Sequence, residues 1–136
     1  MGNVAITIRN QLVGSTAITD LVSADNIFVS NSPKAKASKQ IVIRETAELS
    51  EPVLPAEHSI LTLMVFVNDT ESGPYAKTRE IVDAILTLLN KKNETLIDEP
   101  NDVYIRWFLK TGIDFTYNEV ENYHMAVINF DVVEGE

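Results

Sequence analysis

Cysteine is missing from the 136 residues, which removes disulfides, thiolate zinc sites and cysteine nucleophiles together. Histidine occurs twice, as His58 and His124, in no metal-binding spacing such as His-Glu-x-x-His. The five glycines are too scattered to form a phosphate cradle, a dinucleotide-binding turn or a nucleophile elbow. No apolar run approaches the roughly 18 residues that a membrane-spanning helix needs. The opening residues, Met-Gly-Asn-Val-Ala-Ile-Thr-Ile-Arg-Asn, lack a basic start followed by a long apolar stretch, so no signal peptide is expected. Ile6 stands where a myristoylation signal places Ser or Thr. Positive charge is scarce too. Eleven Lys and Arg against 20 Asp and Glu leave a net charge of −9, a surface that repels nucleic-acid phosphates rather than gripping them.

What the chain does have is an ordinary globular balance, 45% apolar and 23% charged, over a length that fits a single domain, 1–136. Residues 60–67 hold seven apolar side chains among eight, rich in β-branched and aromatic types, and read as a strand. Leu61, Leu63, Val65 and Val67 line one of its faces and Ile60, Met64 and Phe66 the other, so both faces call for cover. A helix follows over 75–90, with Ser72 or Gly73 as cap and Pro74 in the first turn, where a missing N–H costs nothing. Its apolar stripe is Thr78, Ile81, Val82, Ile85, Leu88 and Leu89.

Around this pair the pattern predicts a helix over 4–13 with Ala5, Ile8 and Leu12 on one face, then a helical turn over 16–22 capped by Thr16 or Thr19. Extended segments are expected at 27–29, 40–44, 103–109 and 123–133. In the last, Ala126, Ile128, Phe130 and Val132 share a face. Along 103–109, Val103, Ile105, Trp107 and Leu109 are expected to alternate with Tyr104, Arg106 and Phe108. Residues 93–101 read as a polar connection, and 110–122 as a hairpin loop in which Gly112 permits an unusual backbone angle. The expected fold class is α+β: a mainly antiparallel four- to five-stranded sheet with two main helices packed on one face.

Two loops stand out. Residues 31–39 carry Lys34, Lys36 and Lys39, and residues 45–57 carry Glu48 and Glu51 among others, stiffened by Pro52 and Pro55. Both are expected to be mobile, and the opposite charges make Lys34, Lys36, Lys39, Glu48 and Glu51 candidates for contacts between copies of the chain. Phe115 and Tyr117, aromatic residues in a stretch read as loop, are candidate interface anchors. Asp114, Glu119 and Glu121 gather carboxylates, but without the spacing of a calcium loop they read as a solvated turn. No catalytic class finds its residues, so neither an enzyme nor a bound cofactor or metal is expected. A sheet apolar on both faces, with helices for one, points to a homo-oligomer.

Several stretches taken together carry a likeness. They are the opening helix over 6–13, Thr19-Asp-Leu-Val22, Asn26-Ile-Phe-Val29, Gln40-Ile-Val-Ile43 and Ile60-Leu-Thr-Leu-Met-Val-Phe-Val67. The helix Arg79-Glu-Ile-Val-Asp-Ala-Ile-Leu86 and the stretch Thr111-Gly-Ile-Asp-Phe-Thr-Tyr-Asn118 complete them. In this order the chain resembles the tail-terminator (tail-completion, minor tail) proteins of long-tailed bacteriophages. The likeness spans almost the whole chain and rests on element order and apolar pattern, while the loops at 34–39 and 45–57 have no counterpart. The resemblance implies a structural virion protein of the tail and neck, assembled in the host cytoplasm as a hexameric ring. Such a ring caps the tail tube, ends its polymerisation and docks to the head–tail connector. DNA passes through it without specific binding, and no membrane is involved. Two alternatives stay open: another neck component, such as a head-completion or stopper protein, and a small non-viral binding domain.

Overall fold

The computed structural model describes residues 4–29, 38–47, 57–90, 96–98, 100 and 103–134. Helix α1 spans Val4–Val13, as its spacing requires, with Val4, Ala5, Ile8 and Leu12 buried. Gly14 ends it, its N–H donating to Asn10 O at 3.0 Å. Helix α2 (Thr16–Thr19) follows at once. Its N-cap is Ser15 rather than either expected threonine, and Ser15 makes no side-chain cap bond. A 3-10 turn (Ala24–Asn26) leads into strand β1 (Ile27–Val29).

Strands β2 (Lys39–Ala47) and β3 (Glu57–Asn68) form an antiparallel pair. Both are longer than their apolar cores imply, because ladder hydrogen bonds continue through polar residues once a partner strand is in register. Lys39, Glu45 and Glu57, assigned from composition to the loops at 31–39 and 45–57, therefore belong to strands. Helix α3 (Pro74–Asn90) lies after β3, and strands β4 (Leu96–Asp98), β5 (Val103–Asn118) and β6 (Tyr123–Glu134) complete the chain.

The fold class is α+β. The six strands stand in the order β1-β2-β3-β6-β5-β4, antiparallel throughout except for the parallel pair β1–β2. The strand beyond the expected five is β4, three residues inside what reads as a polar connection. The larger departure is β5. Residues 110–118 are strand, not hairpin loop, and the turn that joins β5 to β6 is confined to 119–122. Register shifts between Ile105 and Trp107 and between Lys110 and Gly112 break the strict alternation expected over 103–109. An extra residue on one strand of an antiparallel pair reverses the facing of everything beyond it. Gly112 marks the second shift. The glycine in the left-handed region is Gly73 instead (φ 60°), at the start of α3, where its carbonyl accepts the N–H of Lys77 at 3.0 Å.

All three helices contribute to one core on one face of the sheet. From the sheet come Ile41, Ile43, Leu61, Leu63, Val65, Val67, Ala126, Ile128, Phe130 and Val132, and from the helices Ile8, Leu12, Ile18, Ile81 and Ile85. Each apolar side chain so buried contributes roughly 1.5–3 kcal/mol, which makes this layer the main source of stability. On the other face Val42, Thr62 and Phe66 are buried while Ile60, Met64, Met125 and Val127 are half-buried, and no described helix lies there. Thr62 donates to Asn129 Oδ1 at 2.8 Å across β3 and β6, a polar rung within this apolar surface.

Candidate interaction surface

The features that could engage a partner gather at one end of the sheet, where α3 begins and the β5–β6 hairpin turns. Alternation along β5 puts Ile113, Phe115 and Tyr117 on the helix face, opposite Ile128, Ala126 and His124 of β6. Ile113 is half-buried under the helices, but Phe115 and Tyr117 are 37% and 44% exposed. From above, the first turn of α3 brings Tyr75, and one turn later Arg79.

These side chains form a connected cluster. The Tyr75 and Phe115 rings meet edge-on at 6.0 Å, Tyr75 and His124 at 6.1 Å, and Tyr117 and His124 at 4.7 Å. The Arg79 guanidinium lies 5.3 Å from the Phe115 ring centroid and 5.9 Å from that of Tyr75, and donates to the Tyr75 hydroxyl at 3.2 Å. That hydroxyl holds the Arg79 guanidinium above its ordinary pKa. A cation over two ring faces is a favourable arrangement even at an exposed site.

Asp69, in the turn after β3, organises the polar side. The Tyr117 hydroxyl donates to its Oδ2 at 2.5 Å, and His124 Nε2 stands 3.6 Å from its Oδ1. The hydrogen bond to this carboxylate raises the Tyr117 pKa, since ionising the phenol would forfeit the bond and set two negative charges side by side. Between the helix and the hairpin remains a shallow hollow of about 220 Å³, lined by Tyr75, Thr78, Phe115, Thr116, Tyr117, His124 and Met125. Nearby, Glu71 accepts from Lys77 at 3.1 Å and faces Lys39 at 3.9 Å. Bonding to Lys77 and to Ser38 holds its carboxyl below the usual range.

The sequence-derived candidates divide accordingly. Phe115 and Tyr117 come together, on a strand rather than a loop. Lys39 is occupied within its own chain by Glu71. Lys34, Lys36, Glu48 and Glu51 lie outside the described residues. Asp114, Glu119 and Glu121 do not converge on a metal site, and no cluster of His, Asp and Glu suited to a metal ion occurs among the described residues. Sequence reasoning missed Tyr75, Arg79 and Asp69. The available signal was the i, i+4 pairing of Tyr75 with Arg79 off the apolar stripe of α3, an aromatic–cation pair with no role in the core.

A chain of the native gene transfer agent virion particle superposes with a TM-score of 0.69, covering 94% of this chain and 92% of that one at 12% identity. The fold is one found in a virion. A protein from Akkermansia muciniphila aligns over 98% of this chain and 76% of its own at 10% identity, with a TM-score of 0.41 that is too low to bear on the fold. No protein-family model and no curated protein matches the chain. Among the described residues, no helix is long and apolar enough to cross a membrane.

Proposed function

We propose that the chain is a structural protein of a phage-type virion and, within it, the tail terminator: a subunit of a hexameric ring that caps the tail tube, stops its polymerisation and presents the face that meets the head–tail connector. The observation that carries the reading is the fold shared almost end to end with a chain of the gene transfer agent virion, covering more than nine-tenths of both chains. The sequence resemblance to tail terminators supports the finer assignment. The exposed Tyr, Phe and Arg cluster suits a protein that works by docking, because these residue types dominate binding energy at protein interfaces. On this reading the protein has no catalytic role. A net charge of −9 suits a channel wall past which DNA must slide without sticking.

Light scattering on the purified protein, with negative-stain images of the same fraction, tests the ring. A sixfold particle that co-sediments with tail tubes supports the terminator reading. A monomer with no affinity for tubes overturns it. The fold likeness names a virion and not a position within it, so a second neck component remains the competing reading. Binding to portal-filled heads in preference to tubes would favour that alternative. Reversing Lys34, Lys36 and Lys39 together is expected to weaken assembly at low salt if the basic loop meets a neighbouring subunit, and unchanged assembly would exclude that contact.

A further inference from the structure

The β5–β6 turn presents an apolar side chain to solvent with unusual completeness. Val120 is 86% exposed, between Glu119 and Glu121. The turn that carries it is held rather than loose. Asn118 Oδ1 accepts the N–H of Val120 at 3.0 Å and of Glu121 at 2.9 Å, Asn122 adopts φ 57°, and the Asp69 N–H donates to Asn122 O at 3.0 Å. A pre-ordered projection loses little freedom when it binds.

At the same end of the sheet, over its helix face, lies the hollow lined by Tyr75, Phe115 and Tyr117, with Arg79 against the first two of these rings. Its volume of about 220 Å³ has room for a valine side chain, and the chain's own tip does not fill it, since Val120 stands in solvent. Charge completes the match. On a chain of net charge −9, a guanidinium lies against two of the hollow's rings, and its contacts among the described residues are those rings, one hydroxyl and, one turn on, Asp83.

We propose that the hairpin tip of one copy of the chain seats in this hollow on the next, with Val120 packing against the Tyr75 and Phe115 rings and with Glu119 and Glu121 facing Arg79. This rests on the homo-oligomer reading above and gives it a specific contact. In this arrangement each copy gives its tip to one neighbour and its hollow to the other, a head-to-tail contact whose repetition closes a ring when the rotation permits.

The absence of cysteine makes a clean test possible. Tyr75 lines the hollow from the helix side and is exposed, so the double variant Y75C/V120C puts one thiol at each site. A short bismaleimide should link it into a ladder of covalent oligomers longer than a dimer, whereas each single variant stops at or below a dimer. V120D, which alters a solvated side chain and leaves the circular dichroism spectrum unchanged, should raise the protein concentration needed for assembly at least about tenfold, read by light scattering. R79E and E119R/E121R should each impair assembly, and their combination should restore it. If the wild-type chain assembles, V120D assembles at the same concentration and no ladder forms, the contact is wrong while the ring stands. A V120D chain that assembles normally but no longer binds tail tubes assigns the tip to another virion protein and overturns the self-contact. A wild-type chain that stays monomeric in solution and on tubes removes the ring and the contact together.

Discussion

Three successive rows of side chains cross the helix face of the sheet: Leu63–Ile128–Ile113, Val65–Ala126–Phe115 and Val67–His124–Tyr117. The β3 members are fully buried in all three rows, and the β6 members are buried in the first two. On β5 the side chain goes from half-buried Ile113 to Phe115 and then Tyr117, the last two open to solvent. The change follows the cover. Helix α3 begins only at Pro74, and the rows nearest its start emerge from beneath it. Residue type changes with cover. Under the helix the rows are aliphatic. Beyond it they become Phe, Tyr and His, with Asp69 and Arg79 engaging their polar edges. One sheet face thus serves as a core at one end and carries an exposed aromatic cluster at the other, where the side chains combine apolar area with a polar handle.

Deleting a ring at each end should break the likeness between them. Phe130→Ala, in the dry core, is expected to cost about 3–5 kcal/mol of unfolding free energy, since it leaves a cavity among close-packed neighbours. Phe115→Ala should cost about 1 kcal/mol, because its site already opens to solvent. Chemical denaturation of both variants checks the pair, and equal losses would mean that the exposed end is core after all. A smaller effect is expected at the Lys39–Glu71–Lys77 contact. The Glu71 carboxyl is held below its ordinary pKa, so its stabilising contribution is complete above the usual carboxylate range and fades as pH falls through the lowered value. Glu71→Gln should therefore flatten the acid limb of the stability–pH curve and weaken stability slightly at neutral pH.

The smallest expected effect is spectroscopic. Bonding to Asp69 raises the pKa of Tyr117, so ultraviolet titration should find it ionising above the ordinary tyrosine value. Asp69→Asn should bring it back towards the ordinary value. In stability terms the folded chain holds this proton more firmly than the unfolded one. The contribution is present below the ordinary tyrosine pKa and is lost as pH rises through the raised value.

The helices were legible because their periodicity is long and local. The start of α1 at Val4 and the stripe from Thr78 to Leu89 can be read without knowing any partner. The apolar centres of β2, β3 and β6 were legible for the same reason. Their polar extensions were not, since Lys39 and Glu57 are strand residues only because a neighbouring backbone is in register with them. The second half of β5 was open to recognition: Ile113, Phe115 and Tyr117 alternate with Asp114, Thr116 and Asn118 in strict strand fashion. Gly112 and the cluster of polar residues obscured it by imitating a turn. Phe115 and Tyr117 stood out as exposed aromatics from composition alone. Their neighbours Tyr75, Arg79 and Asp69 did not, because the cluster is assembled from three separate elements and exists only after the helix has crossed the hairpin.

The strand order also dictates when the fold can be completed. β6 lies in the middle of the sheet, between β3 and β5, yet it is synthesised after every strand it joins. Without β6 the pairings that remain are β1-β2-β3 on one side and β4-β5 on the other, with nothing to join them. Pairing β3 with β6 is also the sheet's most sequence-distant contact, the kind whose loop-closure entropy must be met before the contact returns anything. A chain cut short before Tyr123 would lack the strand that joins the two fragments, and with it His124 of the aromatic cluster. Completion of the sheet therefore waits on β6.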